Sequence, residues 1–512
     1  MRTILQRLNC RQALPQILAD LLMVYLSMAV AVAVSVSYRT LRGGPRHVGQ
    51  VYDSLVSGET RFLWLLGPIF ILVFVLMGLY THGRRKQGKE KAWLAARAAL
   101  LSVLIIVSAY YALLQGEVVS RSVVVPFAVL ASTCVGLSRI LKTWFEDIMR
   151  DADGVGNQAK WVLVLGGAGY IGSVLVHRLL ERGEKVRVLD SLLYGSDPID
   201  DILGHPNLDL IVGDCRNIPD VIAGMRGVDA VIHLAAIVGD PACEVDKQTT
   251  LEVNYAATRM LIEVAKGHGV KRFIFASSCS VYGQADVETD ERSEVNPISH
   301  YARTKVDSEN ALLAAASESF HPTILRFATV FGLGYRPRFD LVVNLLAAKA
   351  YQEGVITIYN GEQWRPFIHV RDVAEGILTV LDAPPERVRG EIFNVGDSRL
   401  NHTLTEVAAK ITVALPHTHV EYAENRDKRN YRVNFAKVRA LGFKAKYRLE
   451  DGIEEMLGGL RERRIADYTD ARYHNERFIK VAGAQANKSE LDAQIMAAFA
   501  NSPVKKLAAQ AS

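Results

Sequence analysis

The stretch VLVLGGAGYIG, Val162 to Gly172, reads as a buried strand that breaks into a glycine-rich turn. Residues 161–165 (WVLVL) are apolar and β-branched enough for a strand buried on both faces, and Tyr170–Arg182 has a helical pattern closed by Gly183. Between them, Gly167-Ala168-Gly169-Tyr170-Ile171-Gly172 fits G-x-G-x-x-G, with Gly166 in addition. Glycine there lets backbone N–H groups and the helix N-terminus approach a pyrophosphate with no Cβ in the way. Asp190 ends the next strand, VRVLD (186–190), 18 residues after Gly172, where a carboxylate can accept hydrogen bonds from adenosine ribose hydroxyls. The same carboxylate repels a 2′-phosphate, and Ser191 brings no compensating charge, so the pattern predicts NAD and not NADP.

Working outward, strands are expected at 231–236 (VIHLAA), 272–278 (RFIFASS) and 323–328 (TILRFA), separated by helical stretches. That order predicts an α/β, Rossmann-type, doubly wound parallel sheet over 160–479, with a small C-terminal substrate-binding region. Residues 143–159 read as a polar linker, and 480–512, rich in Ala, Gln, Lys and Ser, as a polar tail with at most one helix. The first third is different. Residues 13–38, 62–80, 92–115 and 122–141 each supply about 19 or more mostly apolar positions, enough to cross a hydrocarbon core of about 30 Å, so 1–142 is expected to be an all-α transmembrane domain.

Loop charges set its orientation. Arg2, Arg7, Arg11, the cluster Arg84, Arg85, Lys86, Lys89 and Lys91, and Arg139, Lys142 and Arg150 make eleven positive residues on one side; Arg39, Arg42, Arg46, Arg61 and Arg121 make five on the other. The positive-inside rule then places both termini and the catalytic domain in the cytoplasm, on a multi-pass protein of the inner (cytoplasmic) membrane. Residues 13–38 exceed the usual length of a signal-peptide core. A formal net charge of +5, spread over both halves, gives no reason to expect nucleic acid. Five cysteines, Cys10, Cys134, Cys215, Cys243 and Cys279, form no CxxC pair and no cluster with histidines, so neither a disulfide framework nor a structural metal site is expected.

The chemistry sits in Tyr301-Ala-Arg-Thr-Lys305. Positions i and i+4 share a helix face, so the Lys305 ammonium can lie beside the Tyr301 phenol and favour its phenolate. About 20 residues upstream, SSCSVYG (277–283) places Ser278 at a strand end, able to hydrogen-bond the same substrate hydroxyl.

With GGAGYIG, GDCRN (213–217), HLAA (233–236), SSCSVYG, YARTK, RFATVFG (326–332), RPFIHVRD (365–372) and FNVGD (393–397), the chain over about 160–475 resembles the extended short-chain dehydrogenase/reductases, in particular their NAD-dependent nucleotide-sugar epimerase/dehydratase branch. The resemblance implies Ser278, Tyr301 and Lys305 as catalytic residues, with Tyr301 and Lys305 also against the cofactor. It implies that Asp214 and Cys215 border the adenine, Ala235 lines the cofactor and Asn254 supports the active-site helix. Arg365 would hold the sugar nucleotide's diphosphate, and Arg426 with Asp427 its ribose or phosphates.

A 4,6-dehydratase of this family needs an acidic pair inside the motif that here reads Ser278-Cys279-Ser280, so elimination lacks its acid and base. What remains is reversible oxidation at C4 with return of the hydride to the opposite face, which is 4-epimerisation. A one-way sugar ketoreductase or dehydrogenase would use the same residues, and a non-catalytic membrane scaffold is the alternative of another class. The apolar spans suggest a further substrate class, a sugar carried on a polyprenyl diphosphate at the membrane lipid surface. Pairing of two copies into a homodimer stays open, and sugar specificity is expected to reside near Asp240–Glu244, Thr329 and Arg336–Asp340.

Overall fold

The structure, a computed structural model, describes residues 10–43, 60–77, 79, 88–113, 121–152, 161–425, 427–483, 496, 497, 499 and 500. The chain divides into two compact units, Met1–Gln158 and Ala159–Ser512.

The first unit is helical: α1 (Cys10–Gly43), α2 (Thr60–Leu76), α3 (Gly88–Leu113) and α4 (Arg121–Ala152). Small side chains, Ala95, Ala98 and Ala99 on α3 and Ala131 on α4, are fully buried and let the backbones approach. Phe70 fills the remaining space, edge-on to Phe74 and Phe127 at 5.9 and 6.1 Å between centroids. Two of the expected four spans carry a described apolar stretch long enough to cross a bilayer, Ile17–Tyr38 and Val123–Leu141; the apolar parts of the other two, Gly67–Leu76 and Trp93–Ser108, are shorter. The linker drawn at 143–159 begins too early, because α4 continues without a break through Ala152.

The second unit is built on seven parallel strands: β1 (Trp161–Leu165), β2 (Lys185–Asp190), β3 (Leu208–Val212), β4 (Val228–His233), β5 (Arg272–Ser278), β6 (His321–Phe327) and β7 (Glu391–Val395). Their order across the sheet is β7-β6-β5-β4-β1-β2-β3. The order reverses between β1 and β4, so a crevice opens there at the carboxyl ends of the strands. One face of the sheet packs under Val174, Leu175 and Leu179 of α5 (Tyr170–Glu181), the other under Met260, Leu261 and Ala265 of the helix Ala257–Gly267. A smaller layer carries its own core: strands Thr329–Phe331, Trp364–His369 and Asn401–Thr403 form a three-stranded sheet, and Phe331, Phe339 and Leu346 pack with Ile453 and Leu457.

The stretch 480–512 is not simply a polar tail. A helix runs from Asn475 to Ala482, and Met496 is fully buried in the core that holds Leu261 and Ile324. The Phe499 carbonyl accepts a hydrogen bond from Arg259 at 2.7 Å.

Candidate active site

The glycine turn lies in the crevice between β1 and β4. Gly166 has φ +80°, and a Cβ on it would stand 2.8 Å from the Ala235 backbone nitrogen. A Cβ on Gly172 would stand 2.1 Å from the Gly166 carbonyl oxygen, so α5 can start this close to the turn only with glycine there. Asp190, at the end of β2, holds the turn from the side: Oδ2 accepts from Ala168 N at 2.9 Å and Oδ1 from Leu192 N at 2.8 Å. Burial raises the pKa of this carboxyl, and the two N–H groups oppose the rise. Each oxygen keeps a second lone pair for a ribose hydroxyl. An open cradle with an acceptor beside it fits a dinucleotide held by Gly166, Gly167, Gly169, Gly172 and Asp190.

Other expected cofactor residues take different parts. The Tyr170 side chain turns away from the cradle and donates to the Gly332 carbonyl at 2.6 Å, so its contribution to the cradle is its backbone. Ile171 is partly buried against the main core. The Asp214 carboxylate is engaged by Arg216 through two bonds of 2.9 Å, and Cys215 is buried, its thiol pKa pushed up by desolvation. Asn254 pins the loop after β4, accepting from Ile237 N at 2.8 Å and donating to its carbonyl at 2.9 Å. Its amide also reaches Thr304 on α7 (His300–Ala315), counting α6 as Asp240–Val245. That contact couples the crevice to the helix that carries Tyr301.

Ser299 caps α7, accepting from Ala302 N at 3.1 Å, and so fixes Tyr301 in the first turn. Lys305 is almost fully buried and donates from Nζ to the Ala276 carbonyl at 2.8 Å; Nζ stands 5.8 Å from the Tyr301 ring centroid. Burial lowers its pKa to about 8. Burial pushes the Tyr301 phenol up, Cys243 and Asp240 add to the rise, and Arg338 and a hydrogen bond from Ser278 oppose it. Ser278, at the end of β5, also accepts from Ser280 N at 3.1 Å, and the buried Ser280 hydroxyl has no partner among the described residues.

Cys279 is buried, and the nearby Glu309 is fully committed to Arg326 and Ser277. Asp240 is the acid whose charge reaches Tyr301; its Oδ2 pairs with Arg429 at 2.7 Å while its buried Oδ1 has no partner among the described residues. The absence of an acid from Ser278–Ser280 is therefore not an absence of an acid near the site.

Asp427 was expected at the substrate and is found inside an ion network. Arg429 grips it with both ends of its guanidinium, at 2.9 and 2.5 Å, and Arg365 approaches at 3.3 Å. Arg365 is buried and also donates to the Gln363 side chain and to the Trp364 and Arg429 carbonyls. Asp427 is held at about 2 because these arginines outweigh the cost of its burial. Arg426 lies outside the described residues. Sequence reasoning missed Arg429, since nothing local separates it from its charged neighbours. Among the described residues no group of three or more His, Cys, Asp and Glu side chains is gathered for a metal ion.

The profile of the NAD dependent epimerase/dehydratase family matches residues 162–396. An uncharacterized UDP-glucose epimerase of Bacillus subtilis, YtcB, is 31% identical over 266 residues, covering 48% of this chain and 80% of that protein. The solved structure of MoeE5 with UDP-glucuronic acid and NAD is 29% identical, with a TM-score of 0.53, covering 59% of this chain and 99% of that one. UDP-glucose 4-epimerase of Thermotoga maritima, solved with UDP-glucose, is 26% identical with a TM-score of 0.54, covering 59% and 99%. With the glycine cradle, Asp190 and the Ser278–Tyr301–Lys305 set in one crevice, the chain belongs to the NAD dependent epimerase/dehydratase family, and NAD is its cofactor.

Proposed function

We propose that this enzyme is a membrane-anchored 4-epimerase acting on a nucleotide sugar, or on a sugar linked through diphosphate to a polyprenyl lipid, in the making of surface glycans. The observation that carries the reaction is a Tyr–Lys pair with a serine hydroxyl beside it, and serine, cysteine and serine where an eliminating relative needs carboxylates. Tyr301 takes and returns the proton of the C4 hydroxyl, Ser278 orients that hydroxyl, and Lys305 favours the phenolate. Bound NAD supplies hydride acceptance and return. Arg365 and Arg429 offer the diphosphate two guanidinium groups in exchange for part of their hold on Asp427.

Two features support the anchor. Leu18, Leu22, Leu26, Val30 and Val34 form an exposed apolar stripe along α1, and Val125, Val129 and Leu137 continue such a surface on α4. Asp20, near the start of the apolar stretch Ile17–Tyr38, pairs with Arg139, near the end of the stretch Val123–Leu141, which brings those two ends to one level, as an even number of crossings requires.

The test is turnover of UDP-, GDP- and dTDP-hexoses by detergent-purified protein in deuterium oxide, followed by NMR. Interconversion of C4 epimers is expected, with no net absorbance change of reduced nicotinamide and no deuterium at C4. Steady reduction or oxidation of nicotinamide matched to product would replace the epimerase with a ketoreductase. Asp240 favours a second reading, proton abstraction at C5 by its unpartnered oxygen, and deuterium entering C5 is its signature.

A further inference from the structure

The helix α8 (Asn475–Ala482) touches the loops that follow β2, β4 and the strand Thr329–Phe331. Asn475 is almost fully buried and donates to the Val238 carbonyl, past β4, at 3.1 Å. The Phe478 ring packs 4.8 Å from that of Tyr194, past β2. Ile479 is buried with Ile237 and Cys243, and Tyr301 packs against this group. The third loop, past the strand Thr329–Phe331, delivers Arg336, which donates to Asn475 Oδ1 at 2.9 Å and to the Arg472 carbonyl at 3.0 Å.

Arg336 is unusual among the arginines of this crevice. Arg338, Arg365 and Arg429 each face a carboxylate, whereas no acid among the described residues stands within ion-pair distance of Arg336. Arg336 is 6% exposed, its guanidinium lies 3.6 Å over the Tyr194 ring, and its buried Nε has no partner among the described residues. Burial outweighs the nearby acids and lowers its pKa to about 10. A buried cation this poorly compensated is costly unless an anion joins it.

The position says which anion. Tyr194 lies four residues past Asp190, and Asp190 is among the charges that act on Arg336. Gly334, two residues before Arg336, packs on the Tyr170 ring at the start of α5, where a Cβ would stand 3.0 Å from it. Arg336 thus stands on the side of the crevice where β2 ends and α5 begins, and the N-terminus of α5 is where a dinucleotide's pyrophosphate is received. We propose that Arg336, oriented by Asn475 of α8 and by the Tyr194 ring, binds the pyrophosphate of the cofactor, so that α8 helps to close the cofactor site. This rests on membership of the family and not on the epimerase reading. Arg336 is the phosphate ligand and Asn475 a positioning residue.

A phosphate could also come from the substrate, and binding separates the two sources. Calorimetry on the full-length protein in detergent, freed of cofactor, would measure NAD and ADP-ribose, and UDP would be measured on the NAD-saturated protein. Arg336→Met is expected to weaken NAD and ADP-ribose alike by tenfold or more and to leave UDP within twofold. Asn475→Ala is expected to weaken the same two ligands by a smaller factor, in the same ratio to each other. Unchanged NAD and ADP-ribose affinity overturns the proposal, as does a loss confined to UDP. If Arg336→Met gives no cooperative unfolding transition, Arg336→Lys and Asn475→Ala decide by the same comparison. A fall in unfolding midpoint with no selective loss of the two pyrophosphate ligands then counts against it.

Discussion

At the scale of single residues, the proposed reaction turns on the proton affinity of one phenol. Burial, Cys243 and Asp240 all hold the proton on Tyr301, so the phenolate depends on positive charge nearby. Lys305 is the side-chain cation on the same helix face, and with a pKa near 8 it is charged at neutral pH. Replacing Tyr301 with phenylalanine is expected to lower kcat by about 10³-fold while calorimetry finds NAD affinity within threefold, because the cradle residues lie elsewhere. Replacing Lys305 with methionine removes the cation, so the rise of kcat/KM with pH is expected to move upward by about one unit or more. Its unfolding free energy should change by less than about 1 kcal/mol, since a buried ammonium with a single carbonyl partner is replaced by an apolar chain of similar length. A pH profile that stays in place would remove Lys305 from the mechanism. These two residues and Ser278 were legible because helix and strand periodicities fix their relative placement. Arg429 was not, and Asp240 and Arg336 were singled out only within regions expected to set sugar specificity, because the pairing of these side chains brings together chain segments far apart in sequence.

At the scale of elements, the strand–turn–helix unit is constrained more tightly than anything around it. Gly172→Ala drives a methyl group into the Gly166 carbonyl, whereas a Cβ on Gly224 would meet the Leu163 and Leu189 side chains at an ordinary 3.6 Å. The first substitution is expected to cost about 3 kcal/mol in urea unfolding and to impair NAD binding, the second less than about 1 kcal/mol. Equal costs would mean that the turn shifts freely, which its hydrogen bonds to Asp190 and Leu189 argue against. Five of the seven sheet strands could be read from apolar runs. The strands Leu208–Val212 and Glu391–Val395 could not, since LDLIV is an edge strand that is mostly half-buried and EIFNV carries polar residues that tertiary contacts satisfy. The expected strand 231–236 runs over 228–233 instead, because Leu234 to Ala236 leave the sheet to pass beneath the glycine turn.

At the scale of the whole molecule, the two units have separate cores: the first clusters around Phe70 and Phe74, the second around the sheet. A chain starting at Ala159 is therefore expected to unfold cooperatively and to bind NAD within about threefold of the full-length affinity. Loss of the cooperative transition, or a tenfold weaker affinity, would show that the helical unit completes the enzyme. If the substrate is lipid-linked, the shortened chain should lag on substrate embedded in vesicles and match the full chain on a soluble nucleotide sugar. The boundary was legible as a change from unbroken apolar runs to alternating strand and helix, while the extension of α4 to Ala152 was hidden by its polar composition. The pair between Asp20 and Arg139 bears on how such a protein is made. The acid is synthesised 119 residues before Arg139, so on the membrane-anchored reading proposed above the first helix would enter the bilayer without this ion pair. On the same reading the pair is a tie that forms late, between the first helix made and the last, so chains ending before Arg139 are expected to hold the first helix less firmly in the bundle.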